Sequence, residues 1–286
     1  MKVLIDLPVS RGDVVLATAS LRQYAEENPD DYVWFATHYS NESIVAGINN
    51  SIKNNFIKLL FYFDRQTIDA VKPRFDKYID LKIYEEGNWY SVYNDCLINI
   101  YAKKMGLSEL KYRPYIDINF VVVERVKKLR LPDEYIVVHT SSPHPSKNYS
   151  RFNELVKLLP KVLFVQVGTL ADKMIVAPNV IDCRGVGTLK DVAHIIKNSK
   201  GFIGVDSVAG HICSCENIDK ESITIFGATH VEFSRPRHDK SVVISPDSGV
   251  CAKMPCAAGV CFNDKKCIDT IDPKDIIKII EQAEMI

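Results

Sequence analysis

The sequence predicts an α/β protein made of two doubly wound, parallel-sheet domains. Three observations carry this. Short β-branched apolar runs alternate with longer segments of helical periodicity, the pattern of strand–helix units that feed a parallel sheet. The alternation occurs twice, interrupted near residues 121–134, where Lys127-Lys128-Leu129-Arg130-Leu131-Pro132 breaks the pattern. A chain of 286 residues is long enough for two domains of ordinary size. The expected division is 1–125 and 126–286.

Lys2–Val9 reads as a buried strand. A helix follows, in which Val14, Ala17, Leu21, Tyr24 and Ala25 recur at helical spacing until Asn28-Pro29 ends it. Tyr32–Ala36 is the next strand, Ile57–Phe63 and Tyr78–Ile83 are two more, and Tyr90–Met105 is a helix closed by Gly106. In the second half, strands are expected at 135–139, 162–167, 179–182, 201–205 and 222–226. Helices are expected at 150–159, 188–199, 207–216 and after Asp272-Pro273. Thr188 with Asp191 has the spacing of a capping box, and Asp272-Pro273 is a cap followed by proline at the first helical position.

Composition excludes several function classes. The 36 basic residues equal the 36 acidic ones, which removes the electrostatic case for a nucleic-acid partner. No run approaches the about 20 apolar residues of a membrane span, so membrane contact would be peripheral. Asp6 interrupts the first apolar run and no small-residue cleavage site follows, so no export signal is expected. The expected location is a reducing cytoplasm, with the eight cysteines free or bound to metal.

In parallel sheets ligands bind beyond the carboxyl ends of the strands, which directs attention to three turns. The first, Ser10-Arg11-Gly12-Asp13, holds a single glycine where a dinucleotide fingerprint needs three, against nicotinamide or flavin chemistry. Asp13 stands where a helix N-cap stands, and serves capping or catalysis. The second turn runs from Thr140 to Lys147. The third, Asp206 to His211, is not a G-x-S-x-G elbow, because Gly204 precedes Ser207 by three residues. It suits a phosphate, with Ser207 and His211 one helical turn apart; a cap serine and a core histidine is the other reading.

Taken in order, these turns resemble glycosyltransferase family 9, the lipopolysaccharide heptosyltransferases. Gly12-Asp13-Val14-Val15-Leu16-Ala17 is similar to the family's opening motif. Val138-His139-Thr140-Ser141-Ser142 with Lys147 resembles the opening of its second domain, and Phe164-Val165-Gln166-Val167-Gly168 its next strand and turn. Gly187-Thr188-Leu189 resembles the segment beside the nucleotide base. Asp206-Ser207 with His211, and Phe226-Gly227-Ala228-Thr229, resemble its D-[ST]-G-x-x-H and F-G-x-T turns. Val208 departs from the pattern by replacing the glycine. The resemblance covers residues 1–25 and 135–250, with 40–120 matching loosely.

The resemblance implies a GT-B fold, two Rossmann-like domains facing across a cleft, with an N-terminal acceptor domain and a C-terminal nucleotide-sugar domain. It implies an inverting transfer from a nucleotide-diphosphate sugar, an ADP-sugar by preference, to a glycan, glycolipid or protein. Asp13 would be the general base. Thr140, Lys147, Gly168, Gly187, Thr188, Leu189, Asp206, Ser207 and His211 would bind the donor. The reaction would need no metal or other cofactor: a lysine can stabilise the departing diphosphate, and no Asp-x-Asp pair exists to hold a cation. The rival readings are a nucleotide-sugar epimerase or hydrolase on the same fold and a non-catalytic sugar-nucleotide-binding protein.

Cys251, Cys256, Cys261 and Cys267 lie in a loop over 251–267, before the last helix. Four thiolates in 17 residues match a structural zinc or iron site; free thiols or disulfides are the alternatives. Cys213 and Cys215 face different ways on a helix, and Cys96 and Cys183 read as core. Arg235-Pro236-Arg237-His238 reads as a solvated loop, and Trp89 and Tyr90 as packing or a sugar-stacking pair.

Overall fold

The computed structural model describes residues 1–8, 10–83, 95–256, 258–261, 263 and 266–286. Val9, Trp89 and Tyr90, and the start of the helix expected from Tyr90, lie outside the described residues. The chain divides into two compact units, 1–117 with 215–217, and 118–214 with 218–286. The helix Phe120–Lys127 therefore belongs to the second unit. Its Arg125 guanidinium grips the buried Asp191 carboxylate through Nε at 2.5 Å and Nη2 at 2.6 Å.

In the first unit, β1 (Lys2–Leu7), β2 (Tyr32–His38), β3 (Ile57–Tyr62) and β4 (Lys77–Asp80) form a parallel sheet in the order β3-β2-β1-β4. The helices are α1 (Arg11–Glu27), α2 (Glu42–Val45), α3 (Arg65–Val71) and α4 (Leu97–Lys104). Helix α1 is buried from Asp13 to Ala25, not along one stripe only. Its polar side chains are consequently partnered: buried Arg22 donates to the Arg113 carbonyl and pairs with Glu216, and Gln23 donates to the Glu109 carbonyl. Glu216 thereby ties residues 215–217 to this unit.

In the second unit, α5 (Phe120–Lys127) precedes β5 (Ile136–His139), α6 (Phe152–Leu158), β6 (Phe164–Gly168) and β7 (Val180–Arg184). Then come α7 (Leu189–Lys197), β8 (Gly201–Val205), α8 (Val208–Cys213), β9 (Ser222–Ile225), α9 (Val231–Ser234), β10 (Ser241–Ile244) and α10 (Pro273–Gln282). The strands are parallel in the order β10-β9-β8-β5-β6-β7. One face buries Ile136, Val138, Ile203, Ile223 and Ile225 against Phe152 and Leu155 of α6 and Ile276 and Ile280 of α10. Burying each such side chain is worth about 1.5–3 kcal/mol. Chain order reverses between β5 and β8, so the turns after these two strands meet at the switch point where open α/β sheets bind ligands.

The second-half strands and four helices fall where the sequence predicts them, with ends moved by a few residues. Helices α2, α3, α5 and α9 and the edge strand β10 have no counterpart in the sequence reading. They are short, four to eight residues, too brief for periodicity to register. The expected helix 207–216 is also shorter: α8 stops at Cys213, and Cys215 returns to the first unit.

Candidate functional site

Three strand-end turns of the second unit converge on one buried carboxylate, Asp206. A single 3₁₀ turn, Pro145–Lys147, brings Lys147 back over the sheet, and its Nζ lies 2.7 Å from Asp206 Oδ2. The Thr229 hydroxyl of the F-G-x-T turn also faces that carboxylate, and His211 stands beside it. Asp206 is 4% exposed, and desolvation alone would raise its pKa. Lys147 first, and His211 with it, outweigh desolvation and hold it below the usual carboxylate range. His211 responds oppositely: burial is the main cause, and it pulls the imidazole down to about 4 despite Asp206. It is neutral at pH 7, a hydrogen-bonding group and not a cation. Lys147 keeps about a fifth of its side chain exposed, so its ammonium can reach a ligand while anchored.

Ser207 and His211 do not share a partner as their spacing suggests. Ser207 is the N-cap of α8 but its side chain makes no capping bond; its Oγ lies 3.0 Å from Nδ1 of His139, the last residue of β5. Helix α8 has only six residues. Thr140 follows His139, and its hydroxyl contacts the Lys173 carbonyl at 3.3 Å and Gln166 Nε2 at 3.3 Å. It edges a cavity of about 270 Å³ lined also by Ser141, Asn148, Phe152, Lys173 and Lys266.

Gly168, Gly187, Thr188 and Leu189 have local structural roles. Gly168 has φ +140°, and a Cβ there would meet the Asp172 carboxylate at 2.1 Å. Gly187 has φ +59°, and its missing Cβ leaves room for Asp191. The capping box is present: the Thr188 amide donates to Asp191 Oδ2 at 2.6 Å and its hydroxyl at 2.9 Å, and Leu189 opens α7. Arg235 and Arg237 both pair with Glu232.

In the first unit Asp13 is not the N-cap. Helix α1 begins at Arg11 with Ser10 as the cap residue, so Asp13 is the third helical residue. The Ser10 hydroxyl donates to its Oδ2 at 2.5 Å, and the carboxyl is 8% exposed. An acid in the first helical turn is favourably placed by the helix dipole, and the Ser10 hydrogen bond fixes its orientation.

Cys96, Cys183, Cys213 and Cys215 are buried, and Cys251, Cys256, Cys261 and Cys267 are half-buried. Burial raises the Cys267 thiol's pKa first, and Cys251, Cys256 and Cys261 are near enough to raise it further. Thiolates are the donor type that suits zinc or iron. Among the described residues no group of three or more His, Cys, Asp or Glu is already arranged to hold a metal ion.

Sequence reasoning missed three residues around these turns: His139, Asp172 and Arg125. His139 had a visible signal, a polar residue at the carboxyl end of an apolar run. Asp172 and Arg125 had none, since their links to His139 and Asp191 span distant positions in the sequence.

Comparison with curated proteins gives no match. Among solved structures, the chain is similar to a glycosyl transferase family 9 protein from Veillonella parvula, with 14% identity, a TM-score of 0.73, and coverage of 99% of this chain and 96% of that one. It is similar to ADP-heptose lipopolysaccharide heptosyltransferase II of E. coli, at 12% identity and a TM-score of 0.72, covering 99% and 98%. It also resembles the dodecameric iron-containing heptosyltransferase TibC of enterotoxigenic E. coli, in complex with ADP-D-β-D-heptose, at 11% identity and a TM-score of 0.70, covering 99% and 76%. These likenesses establish the GT-B fold class. Residues 123–263 match the family model for glycosyltransferase family 9 (heptosyltransferase), a span that contains the Lys147–Asp206–His211 cluster.

Proposed function

We propose that the chain moves a sugar from a nucleotide-diphosphate sugar to an acceptor hydroxyl, with inversion and without a metal in the reacting site. The observation that carries this reading is the anchoring of Lys147 by buried Asp206 at the sheet's switch point. A glycosyl transition state is oxocarbenium-like, and charge grows on the departing diphosphate. Lys147 supplies the compensating cation, and Ser207 and neutral His211 supply hydrogen bonds. Asp206 positions the ammonium and is not itself a diphosphate ligand, since two anions would repel. Asp13 acts as general base: it takes the acceptor proton as the acceptor oxygen attacks the anomeric carbon and the bond to the diphosphate breaks.

The second unit is the donor unit on this reading and the first binds the acceptor, a glycan, glycolipid or protein. An ADP-sugar is the favoured donor, because the similar E. coli enzymes are named for ADP-heptose. The cysteine loop is a separate structural site in which Cys251, Cys256, Cys261 and Cys267 would hold zinc or iron. Cytoplasmic residence fits an intracellular nucleotide-sugar supply; no helix among the described residues is long and apolar enough to cross a membrane.

The test is nucleoside diphosphate release with and without acceptor, together with the product anomer by NMR. Release only with acceptor, and an inverted anomer, support transfer as written. Release without acceptor would make the protein a hydrolase, and binding without turnover a sugar-nucleotide-binding protein.

A further inference from the structure

Three adjacent strand ends of the second unit contribute one member each to a second polar array, separate from the Lys147–Asp206 pair. His139 ends β5, Ser207 follows β8, and Asp172 lies on the turn after β6; these strands run β8-β5-β6 side by side. Ser207 Oγ is 3.0 Å from His139 Nδ1, and Asp172 Oδ2 is 3.7 Å from His139 Nε2. Asp172 is fixed in turn by the Thr169 amide at 3.0 Å and its hydroxyl at 2.8 Å. Gly168 completes the array by omission: a Cβ there would overlap Asp172 Oδ2 and lie 3.4 Å from the His139 ring. His139 is 8% exposed and Ser207 is half-buried, so the hydroxyl is the member a ligand can reach.

The two ring nitrogens see different partners, and that decides the direction of the Ser207 hydrogen. In the neutral tautomer that carries its proton on Nε2, the nitrogen facing Asp172, Nδ1 accepts from the Ser207 hydroxyl. Oγ then presents only lone pairs outward, the wrong polarity for a phosphate oxygen. With a proton on Nδ1 as well, Nδ1–H donates to Oγ and the Ser207 hydrogen is released to donate outward. The imidazolium so formed faces the Asp172 carboxylate. Burial favours the neutral ring in the free protein, opposed by Asp172, the charged group that acts on it. On the neighbouring turn, His211, Asp206 and Lys147 form their own set, and burial keeps His211 neutral as well.

We propose that His139, backed by Asp172, is a positioning residue that takes up a proton from solvent when the donor's diphosphate binds, turning the Ser207 hydroxyl into a hydrogen-bond donor to it. No other bond is made or broken. The inference rests on the donor reading given above and adds a protonation step to it.

Calorimetric titration with ADP-glucose at pH 6.5, in two buffers of different ionisation heat, counts the protons taken up. ADP-glucose serves as the probe because its diphosphate diester has no proton to exchange near neutrality. The wild-type protein should take up about half a proton or more per site, by linkage. His139→Gln should bind with uptake near zero. Ser207→Ala should keep the imidazole but lose most of the uptake, which guards against a His139 variant that does not fold. His211→Gln should retain it. Binding without uptake in the wild-type protein, or uptake that survives His139→Gln and vanishes in His211→Gln, would overturn the inference and leave the donor reading intact. No binding of ADP-glucose to the wild-type protein would overturn both.

Discussion

Each unit buries an aspartate in or just beyond a parallel strand, and the two behave in opposite ways. Asp6 of β1 is 0% exposed and accepts from Tyr62 Oη at 2.7 Å, Tyr78 Oη at 3.0 Å and the Arg65 guanidinium. Desolvation is still the larger effect, and its pKa is raised. Asp206 is also buried, yet its pKa is lowered, because Lys147 and His211 overcome desolvation. The difference lies in the partners. Two neutral phenols and a guanidinium that also faces Asp69 and Asp80 surround Asp6, so the Arg65 charge is divided among three carboxylates. The partner of Asp206 is the Lys147 ammonium, and that ion pair stands at the switch point of the larger sheet. Buried charge alone does not mark a site; its place at the switch point and an undivided partner cation do.

The largest expected effect tests the first unit's contribution. Asp13→Asn should lower kcat by about 10²- to 10⁴-fold, the loss typical of a general base, with nucleotide affinity kept. Steady-state kinetics and nucleotide titration check this, and near-normal turnover would reduce Asp13 to a helix-dipole partner held by Ser10. The next prediction divides the two carboxylate clusters. Lys147→Ala should lower kcat/KM for the donor by about 10- to 100-fold, the value of one charge-assisted hydrogen bond of about 1.5–3 kcal/mol. Asp6→Asn should instead cost about 1–3 kcal/mol of stability in denaturant unfolding and leave donor KM unchanged. If Asp6→Asn raised donor KM as much as Lys147→Ala does, the contrast between the two carboxylate clusters would fail.

A smaller effect concerns acid stability. The folded-state pKa of His211 is depressed, so its contribution is fully present above the unfolded value of 6.5 and is lost as pH falls toward about 4. The loss is on the order of 3 kcal/mol across that window, and His139, also depressed, adds in the same direction. Melting temperature should fall over this range, and His211→Gln should flatten the fall. The smallest effect is expected at the cysteine loop. Chelation should leave initial rates unchanged while metal analysis of the native protein finds about one zinc or iron per chain, and replacing Cys256 and Cys261 with serine should abolish it. Metal-free native protein would assign the loop to free thiols.

The regular elements of the second unit were legible because their signals are local. Ile136 to His139, Gly201 to Val205 and Pro273 to Gln282 carry periodicity and caps within a few residues, and the structure puts a strand, a strand and a helix there. The candidate donor turns were legible for the same reason: a strand that ends in Asp206-Ser207 announces a strand-to-helix junction. Asp13 was legible as a position but not as a role, since three residues of helix register separate the cap Ser10 from the side chain that it holds.

By itself the sequence determined the two-fold alternation of strands and helices, the neutral charge and the turns at which to look. Tertiary structure alone decided which side chains in those turns act together. Lys147 meets Asp206 across 59 positions, Ser207 meets His139 across 68, and Arg125 reaches Asp191 across 66. Strand order sets these pairings, because it makes β8, β5 and β6 neighbours although other elements intervene in the chain. The same holds for the direction of each pKa shift. Asp6 and Asp206 are one residue type with almost equal burial, and only the charges folded around them send one up and the other down.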